Sequence, residues 1–359
     1  MARLCFNTPR ITAISTTVGN NRVSIEEEQE KFNLDDGSLK RLKKTIGLKY
    51  RCIVDKGTCT SDLCFQSARK IFNSGIVKAQ EIESLIFVSQ TPDYKAPSTS
   101  IILQNKLGIP TDAIAFDINL GCSGFIYGLM NAFSLVESGL KNCLLLVGDI
   151  SSEFSGKNDK TFTPLMGDAG SAILIDNQNN QKSYFILGSD GSGFDNLIIP
   201  GGGSREPFNY DSLSEKKGAD GVYRRDIDMF MNGGNVFNFT IKVVPNLIDE
   251  IIRYANVDKS ELDYFVLHQA NGYILTNIAK RIGVSEDKLP NKTQSDYGNQ
   301  NSASIPGTIN AYLPDKYSSG KLLSLFAGFG IGLSWGACIT NTDNIYCPSV
   351  ERFNDENNE

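Results

Sequence analysis

The chain has 359 residues, of which 40% are hydrophobic and 21% charged, a composition that predicts a globular protein with a substantial core. Its net charge of −6 argues against nucleic acid as a main partner, because phosphate binding needs a basic surface. No apolar run is long enough to span a membrane and the N-terminus lacks a secretory signal, so we expect a cytoplasmic protein. The eight cysteines are scattered, which supports neither a metal site nor a disulfide framework.

In the first half of the chain, short apolar runs alternate with amphipathic stretches, which is typical of an α/β fold. The segment SLIFVSQ, which ends at Gln90, predicts a buried strand. A helical stretch ending in NKLGIP follows, and then come the strand AIAFDI, an apolar helix opening at Cys122 and the strand CLLLVGD.

The second half repeats this order of elements. The strand DYFVLHQ ends at Gln269, and the helix ILTNIAKRIGVS, the turn-rich segment DYGNQNSASIPGTI and the strand LLSLFAG follow at nearly the same spacing. Apolar residues at helical spacing predict one buried face for that helix, with Gly283 as its end. We therefore predict an internal duplication into residues 1–180 and 181–359, with the joint near residue 180.

Two other segments have a distinctive composition. Residues 200–227 are polar and glycine-rich, which predicts a long surface loop and allows a flap over the site. Residues 40–51 form a basic stretch in an acidic chain. This stretch is either a solvated helix face or a docking patch for an anionic partner.

Cys122 is the candidate nucleophile. It follows a strand and a short turn at the start of an apolar helix, where the helix dipole and unpaired N–H groups favour a thiolate. Gly121 and Gly124 flank it, and we expect them to leave room for a substrate carbonyl. The alternative is a buried structural cysteine, the usual fate of a free thiol.

The sole histidine, His268, and Asn299 are candidate partners of Cys122. His268 ends a strand, where α/β folds bind ligands, although a lone histidine there is often a core residue. Asn299 lies in a turn-rich segment and could be an ordinary turn or capping residue.

The duplication places all three residues at strand–helix junctions, which can converge on one pocket. A thiolate there could hold an acyl group, while His268 and Asn299 stabilise an enolate formed when a malonyl group loses CO₂. In the segment FAGFGIGLSWG, the backbone N–H of Ile331 could pair with that of Cys122 as an oxyanion hole. The spacing of its glycines is not that of a dinucleotide site.

The sequence resembles the β-ketoacyl-acyl-carrier-protein synthase III family of the thiolase superfamily over nearly its whole length. The matching stretches are IGLKYR, DINLGCSGF, MGDAGSA, DGSGFDNLIIPGGGSR, MNGGNVF, VLHQAN, YGNQNSASIP and GFGIGLSWG. The resemblance implies a thiolase-like five-layer α-β-α-β-α fold built from two duplicated halves, a homodimer, and Cys122, His268 and Asn299 as the catalytic triad. It also implies an acyl-CoA or acyl-carrier-protein donor, malonyl-acyl carrier protein as acceptor, and no permanently bound cofactor.

The resemblance further assigns roles to residues around the site. Substrate binding falls to Ala96, Lys160, Asn271 and Tyr273, and carrier-protein docking falls to Arg41, Lys280 and Arg281.

Several positions depart from the family pattern. Arg41 and Thr45 stand where a tryptophan and an arginine grip the CoA adenine, and Tyr273 and Asn238 replace basic residues. Ala96 replaces a phenylalanine that closes the acyl tunnel from the partner subunit. We therefore predict an altered donor, a roomier acyl pocket and a role in a specialised pathway, such as that of a surface polysaccharide or secondary metabolite.

Three alternatives remain open from the sequence. An acyltransferase of the same fold could pass its acyl group to an alcohol or amine, although such relatives often lack the asparagine. Papain-like proteases also use Cys, His and Asn in this order, but their C-G-[SA]-C-[WY] motif is absent. A non-catalytic partner subunit could keep the fold without the reaction.

Overall fold

A computed structural model describes residues 1–32, 34–178 and 181–355 of the chain. The predicted joint near residue 180 and the side chain of Thr45 lie outside the described part. Within the described residues, no helix is both long and apolar enough to cross a bilayer.

Most of the described chain forms strands and helices. The strands are β1 (Ala2–Phe6), β2 (Arg10–Val18), β3 (Asn21–Ser24), β4 (Tyr50–Ile53), β5 (Ser84–Val88), β6 (Ile114–Ile118), β7 (Asn142–Asp149), β8 (Ala169–Asp176), β9 (Ser183–Ser189), β10 (Leu197–Ile198), β11 (Lys216–Lys217), β12 (Tyr223–Arg224), β13 (Phe230–Met231), β14 (Tyr264–Leu267), β15 (Lys321–Gly330), β16 (Ser334–Asp343) and β17 (Glu351–Arg352). The α-helices are α1 (Asp36–Arg41), α2 (Thr60–Asn73), α3 (Thr99–Lys106), α4 (Gly124–Glu137), α5 (Gly233–Ala255), α6 (Gly272–Ile282), α7 (Thr293–Tyr297), α8 (Ser304–Tyr312) and α9 (Pro314–Ser319). A π-helical turn, Leu42–Ile46, extends α1.

Two large sheets repeat one topology. The first has the strand order β1-β9-β16-β15-β14 and the second has the order β17-β2-β8-β7-β5-β6. In the first sheet, the pairs β9–β16 and β16–β15 are antiparallel and β15–β14 is parallel. In the second, β2–β8 and β8–β7 are antiparallel and β7–β5 is parallel. This matching order confirms that the fold is built from two duplicated halves.

The ends of the chain cross between the two sheets. The N-terminal strand β1 belongs to the first half of the sequence, but it pairs with β9, a strand of the second half, in the first sheet. The C-terminal strand β17 pairs with β2 in the second sheet. Each half therefore completes the other's sheet, and the halves are interlocked.

The helices form three layers around the two sheets. Helices α4 and α8 lie between the sheets, α5 packs outside the first sheet with α6 beside it, and α2 and α3 pack outside the second sheet. This α-β-α-β-α order confirms the predicted five-layer fold.

Helix α4 explains how the middle layer is held. A helix that is apolar on all sides is stable only when it is buried on all sides, and α4 has this composition. Its Phe125 packs edge-on against Phe326 of one sheet at 5.8 Å, and Phe133 packs against Phe185 at 5.4 Å. These contacts anchor the helix that begins just after Cys122.

Helix α6 agrees with its predicted pattern. Ile274, Leu275, Ile278, Ala279 and Ile282 are buried on one face. Gly283 ends the helix in the left-handed conformation, with φ of 64°.

The predicted surface loop at residues 200–227 contains short elements. It includes a 3₁₀ turn, Tyr210–Leu213, and the hairpin of β11 and β12. The guanidinium of Arg224 in this hairpin is buried against Asp159 at 2.5 Å, which fastens the segment to the body of the protein.

Candidate active site

The predicted site residues lie at the ends of elements from both halves. Cys122 lies between β6 and α4, His268 directly follows β14, Ile331 directly follows β15, and Asn299 follows α7. These four residues are far apart in the sequence, but the interlocked sheets bring the ends of their strands and helices together. All four residues line one pocket.

This pocket has an empty volume of about 670 Å³, including its opening to solvent. No Lys, Arg, Asp or Glu of the described residues lines it. Its apolar wall consists of Phe154, Phe162, Leu165, Met166, Leu197, Met229, Met231, Val236, Ile274, Phe329 and Ile331. Such a wall suits an extended, uncharged substrate arm.

Cys122 is partly exposed as a residue, and its thiol lies directly against the backbone of β15. A Cβ placed on Gly330 would be 2.6 Å from both Cβ and Sγ of Cys122, closer than real atoms approach. A glycine at this position is therefore required for the thiol to stay where it is.

Burial raises the pKa of the Cys122 thiol to about 11, and the charge of Asp149 acts in the same direction. Backbone hydrogen bonds from Ile331 and from Cys122 itself oppose this rise. The prediction that the helix N-terminus favours a thiolate is therefore wrong for this structure. The reason is that α4 begins two residues beyond Cys122, and desolvation outweighs the nearby N–H groups.

The turn that carries Ile331 is tied to the start of α4 by a chain of hydroxyl groups. Ser334 Oγ donates to the carbonyl of Ile331 at 2.7 Å, and Ser123 Oγ lies 2.7 Å from Ser334 Oγ. Because Ser334 uses its proton on Ile331, Ser123 is the donor in the second bond. These hydroxyl groups hold the carbonyl of Ile331 and with it the turn whose N–H lies beside the thiol. The adjoining Gly332–Leu333 peptide is cis.

Gly121 and Gly124 do not have the role that we expected. A Cβ on Gly121 would meet the side chains of Gln90 and Asn301, and a Cβ on Gly124 would lie 2.8 Å from Val88. These glycines make room for other protein groups rather than for a substrate carbonyl, so the prediction was wrong.

The His268 imidazole is buried, with 1% of the residue exposed. Its Nδ1 lies 2.8 Å from Ser304 Oγ, and its ring packs edge-on against Phe329 at 5.6 Å. Burial lowers the pKa of His268 to about 4, while a backbone hydrogen bond with Asn301 opposes the change. The ring is therefore neutral at physiological pH and can act as a hydrogen-bond donor or acceptor.

Asn299 is held by its own turn. Its backbone N–H donates to the carbonyl of Leu165 at 2.7 Å, and its Oδ1 accepts from the backbone N–H of Asn301 at 3.0 Å. Since the oxygen is used by the turn, the Nδ2 group is the part of the amide that remains to donate to a substrate.

Asp149 is a buried carboxyl group behind the site, and no sequence motif predicts it. It accepts hydrogen bonds from the backbone N–H of Gln90 at 2.7 Å and from Ser302 Oγ at 3.2 Å. Burial raises the pKa of Asp149 to about 7, and these hydrogen bonds oppose the rise. The signal in the sequence was an acidic residue ending the otherwise apolar strand CLLLVGD.

The four predicted substrate-binding residues are divided between the pocket and the surface. Asn271 lines the pocket and caps α6, where its side chain accepts from the N–H of Ile274 at 2.9 Å. Ala96, Lys160 and Tyr273 are exposed and are not part of the pocket wall. Tyr273 stacks on Phe237, with ring centroids 5.3 Å apart.

The predicted docking residues are exposed on neighbouring elements. Arg41 ends α1, and Lys280 and Arg281 lie in the last turn of α6. The π-helical turn after Arg41 packs against the N-terminus of α6, where a Cβ on Gly272 would lie 2.9 Å from a backbone oxygen of that turn.

Family models and relatives match most of this chain. The model described as 3-oxoacyl-[acyl-carrier-protein (ACP)] synthase III matches residues 116–191, and the model of its C-terminal part matches residues 252–342. A Campylobacter jejuni protein, provisionally named 3-oxoacyl-[acyl-carrier-protein] synthase 3, is 34% identical over 96% of this chain and 97% of its own length. The β-ketoacyl-[acyl-carrier-protein] synthase III of Neisseria meningitidis is 30% identical over 92% of this chain and 98% of its own.

A solved structure shows the same fold. The crystal structure of a 3-oxoacyl-(acyl-carrier protein) synthase from Burkholderia xenovorans superimposes with a TM-score of 0.91, at 34% identity. The match covers 98% of this chain and 99% of that one.

Fold and site together define a condensing acyltransferase of the thiolase fold. Within that class, the chain belongs to the 3-oxoacyl-[acyl-carrier-protein] synthase III family. The resemblance seen in the sequence is thereby confirmed. The protease and non-catalytic alternatives are excluded, and acyl transfer to an alcohol or amine is not favoured.

Proposed function

We propose that this enzyme loads an acyl group from a CoA or carrier-protein thioester onto Cys122 and condenses it with malonyl-acyl carrier protein. The products are CO₂ and a 3-oxoacyl thioester. The observation that supports this proposal most directly is the single pocket lined by Cys122, His268, Asn299 and Ile331.

In the loading step, the Cys122 sulfur attacks the thioester carbonyl. Negative charge develops on the carbonyl oxygen, and the N–H groups of Cys122 and Ile331 are placed to bind it. The S–C bond of the donor breaks, and the proton from Cys122 ends on the departing thiol. The acyl group is then joined to Sγ, and no charge remains in the apolar pocket.

In the condensation step, the bond between the malonyl carboxylate and its carbon breaks, and the electron pair moves toward the thioester carbonyl. His268 and Asn299 Nδ2 donate hydrogen bonds to the resulting enolate oxygen. For His268 to donate from Nε2, Nδ1 must accept the proton of Ser304, which lies 2.8 Å away. The enolate carbon then attacks the acyl carbonyl, and the S–C bond to Cys122 breaks. The sulfur leaves as a thiolate and takes one proton from solvent, because the loss of CO₂ supplies none.

The exposed basic residues supply an approach for the acidic substrates. Arg41, Lys280 and Arg281 present positive charge on adjoining elements, which suits CoA phosphates or an acidic carrier protein. Lys160 is exposed and close enough to Asp35, at the start of α1, to interact with it electrostatically. We place docking at this surface, in a cytoplasmic homodimer.

Release of CO₂ tests condensation directly. The purified enzyme should release labelled CO₂ from carboxyl-labelled malonyl-acyl carrier protein when an acyl-CoA is present, and Cys122→Ala should abolish product. Cys5→Ala, which removes an exposed thiol remote from the pocket, is the matched control. Transfer of the acyl group to an alcohol or amine without CO₂ release would overturn the proposal.

The two steps are separated by variants of the donor residues. His268→Ala and Asn299→Ala should still be acylated at Cys122, as seen by intact-protein mass spectrometry, yet lose condensation by about 10²-fold or more. Loss of acylation in both folded variants would contradict the roles assigned here.

The donor and the size of the acyl pocket are tested with CoA thioesters of graded chain length. Ala96 is exposed and outside the pocket wall of its own chain, but the resemblance places it where a phenylalanine closes the acyl tunnel of the partner subunit. The smaller side chain supports a roomier tunnel in the proposed dimer, so medium-chain primers should load at least as well as acetyl-CoA. A wide preference for acetyl-CoA would refute this part. Sedimentation analysis at assay concentration tests the dimer.

A further inference from the structure

We propose that Asn301 and Gln90 form a polar subsite for a hydroxyl group on the acyl chain, close to the thioester that Cys122 receives. This inference rests on the proposed function, because it assigns the class of acyl group that the same pocket takes. The expected primers are hydroxyacyl thioesters rather than plain alkanoyl ones.

The side chain of Asn301 supplies the first observation. Asn301 lines the pocket with Cys122, only 4% of the residue is exposed, and its Oδ1 has no hydrogen-bond partner among the described residues. The backbone of Asn301 already makes two hydrogen bonds. Its N–H donates to Asn299 Oδ1 at 3.0 Å, and its backbone also bonds with His268. The turn therefore fixes Asn301, and its carboxamide oxygen is left shielded from solvent and without a hydrogen-bond partner among the described residues.

Gln90 supplies the second observation. It also lines the pocket, and its backbone N–H is fixed by Asp149 at 2.7 Å. Its carboxamide oxygen and that of Asn301 both lie close to the point where a Cβ would be on Gly121, the latter at 2.9 Å. Two carboxamides thus converge beside the residue that precedes the nucleophile.

A buried acceptor without a partner is costly, so a substrate group that donates to it is favoured over one that does not. The donor should be neutral, because no carboxylate of the described residues lines the pocket to balance a cation. A hydroxyl meets both conditions. Since adjacent Cα atoms are only about 3.8 Å apart, the hydroxyl should lie within the first few carbons from the thioester carbonyl.

The test compares loading of matched primers. Purified enzyme is mixed with butyryl-CoA, 2-hydroxybutyryl-CoA or 3-hydroxybutyryl-CoA, and acylation of Cys122 is followed by intact-protein mass spectrometry. At least one hydroxyacyl primer should load about tenfold faster than butyryl-CoA, as expected for pairing a buried acceptor. Equal rates for all three primers would overturn the inference.

The variants remove one carboxamide at a time. Asn301→Gly is compatible with the left-handed backbone at this position, whose φ is 50°. It should bring the ratio of the hydroxyacyl loading rate to the butyryl loading rate close to one. Gln90→Met, which keeps the length of the side chain, should reduce the ratio as well. The matched control is Asn256→Gly, an exposed left-handed asparagine at the end of α5 with φ of 53°, and it should leave the ratio unchanged.

The outcomes separate this inference from the proposed function. If every primer loads and condenses with malonyl-acyl carrier protein at one rate, only the subsite is wrong. If no primer loads on Cys122, the proposed function itself fails. A hydroxyl preference that persists in both Asn301→Gly and Gln90→Met would also refute the subsite.

Discussion

Replacement of Gly330 by alanine is the sharpest test of the geometry around the nucleophile. The new methyl group would lie 2.6 Å from Cys122 Sγ, whereas ordinary contacts begin at 3.4 Å, so the thiol or β15 must move by about 0.8 Å. A misplacement of about 1 Å at a reacting atom can cost about 10²-fold in rate. We therefore expect the acylation rate of Gly330→Ala to fall by about that factor.

The assay is acylation of Cys122 by an acyl-CoA, followed by intact-protein mass spectrometry, with thermal unfolding measured in parallel. Gly139→Ala is the matched control, because Gly139 shares a positive φ, of 120°, with Gly330, whose φ is 157°, while a Cβ on this exposed glycine meets nothing within 4 Å. The control should acylate at the wild-type rate. If Gly330→Ala did so too while remaining folded, the close approach of β15 to the thiol would be refuted.

Three further predictions follow from the same contacts. Burial raises the pKa of Cys122 to about 11, so its alkylation by iodoacetamide should accelerate about tenfold per pH unit from pH 7 to 10. The alkylation is mapped to this cysteine by peptide mass spectrometry. A plateau of the rate below pH 9 would contradict the prediction. Because burial lowers the pKa of His268 to about 4 from 6.5, the unfolded state binds more protons between these values, so stability should fall as pH drops through this window. His268→Gln should lack this component, worth up to about 3 kcal/mol, in urea unfolding at pH 4 against pH 7. Ser334→Ala should lower the rate constant of loading about tenfold with little change in KM. The reason is that it removes the 2.7 Å hydrogen bond from Ser334 Oγ to the carbonyl of Ile331, which fixes the turn. An unchanged rate constant in stopped-flow assays would count against this prediction.

Much of the fold was predictable because it depends on local patterns of apolar residues and glycines in the sequence. The apolar stripe of α6, its end at Gly283 and the strands around Cys122 and His268 all follow from the spacing of apolar residues and glycines. The repeat of these patterns predicted the duplication. The pairing of β1 with β9 and of β17 with β2 was not predictable, because strand partners far apart in sequence leave no periodic signal.

The candidate site was predictable as a set of residues but not as an environment. Cys122, His268, Asn299 and Ile331 were found from their positions at strand ends and from the family motifs. The protonation of the thiol depends on burial against Gly330 and Ile331, residues of the other half of the chain, so the local helix argument gave the wrong direction.

The polar groups beside the nucleophile were missed for a similar reason. Asn301 lies in a turn-rich segment, where asparagine is expected for its conformation alone. Gln90 ends a strand in the other half of the chain. Only the folded structure shows that both carboxamide oxygens lie close to Gly121.

The absence of charge among the described residues of the pocket wall explains how such a site can favour decarboxylation. A lysine or arginine facing the malonyl carboxylate would bind the substrate tightly in its ground state and would lose that interaction as CO₂ leaves. Interactions that are equal or stronger in the ground state do not lower the barrier. In the proposed condensation neutral donors act differently, because the N–H groups assigned to this role, those of His268 and Asn299, gain strength only as charge moves onto the enolate oxygen. The low pKa of His268 keeps the imidazole neutral, and thus a donor without a full charge, through the physiological range. For the proposed condensation, burial of the triad in an apolar pocket therefore favours the transition state over the bound malonyl thioester.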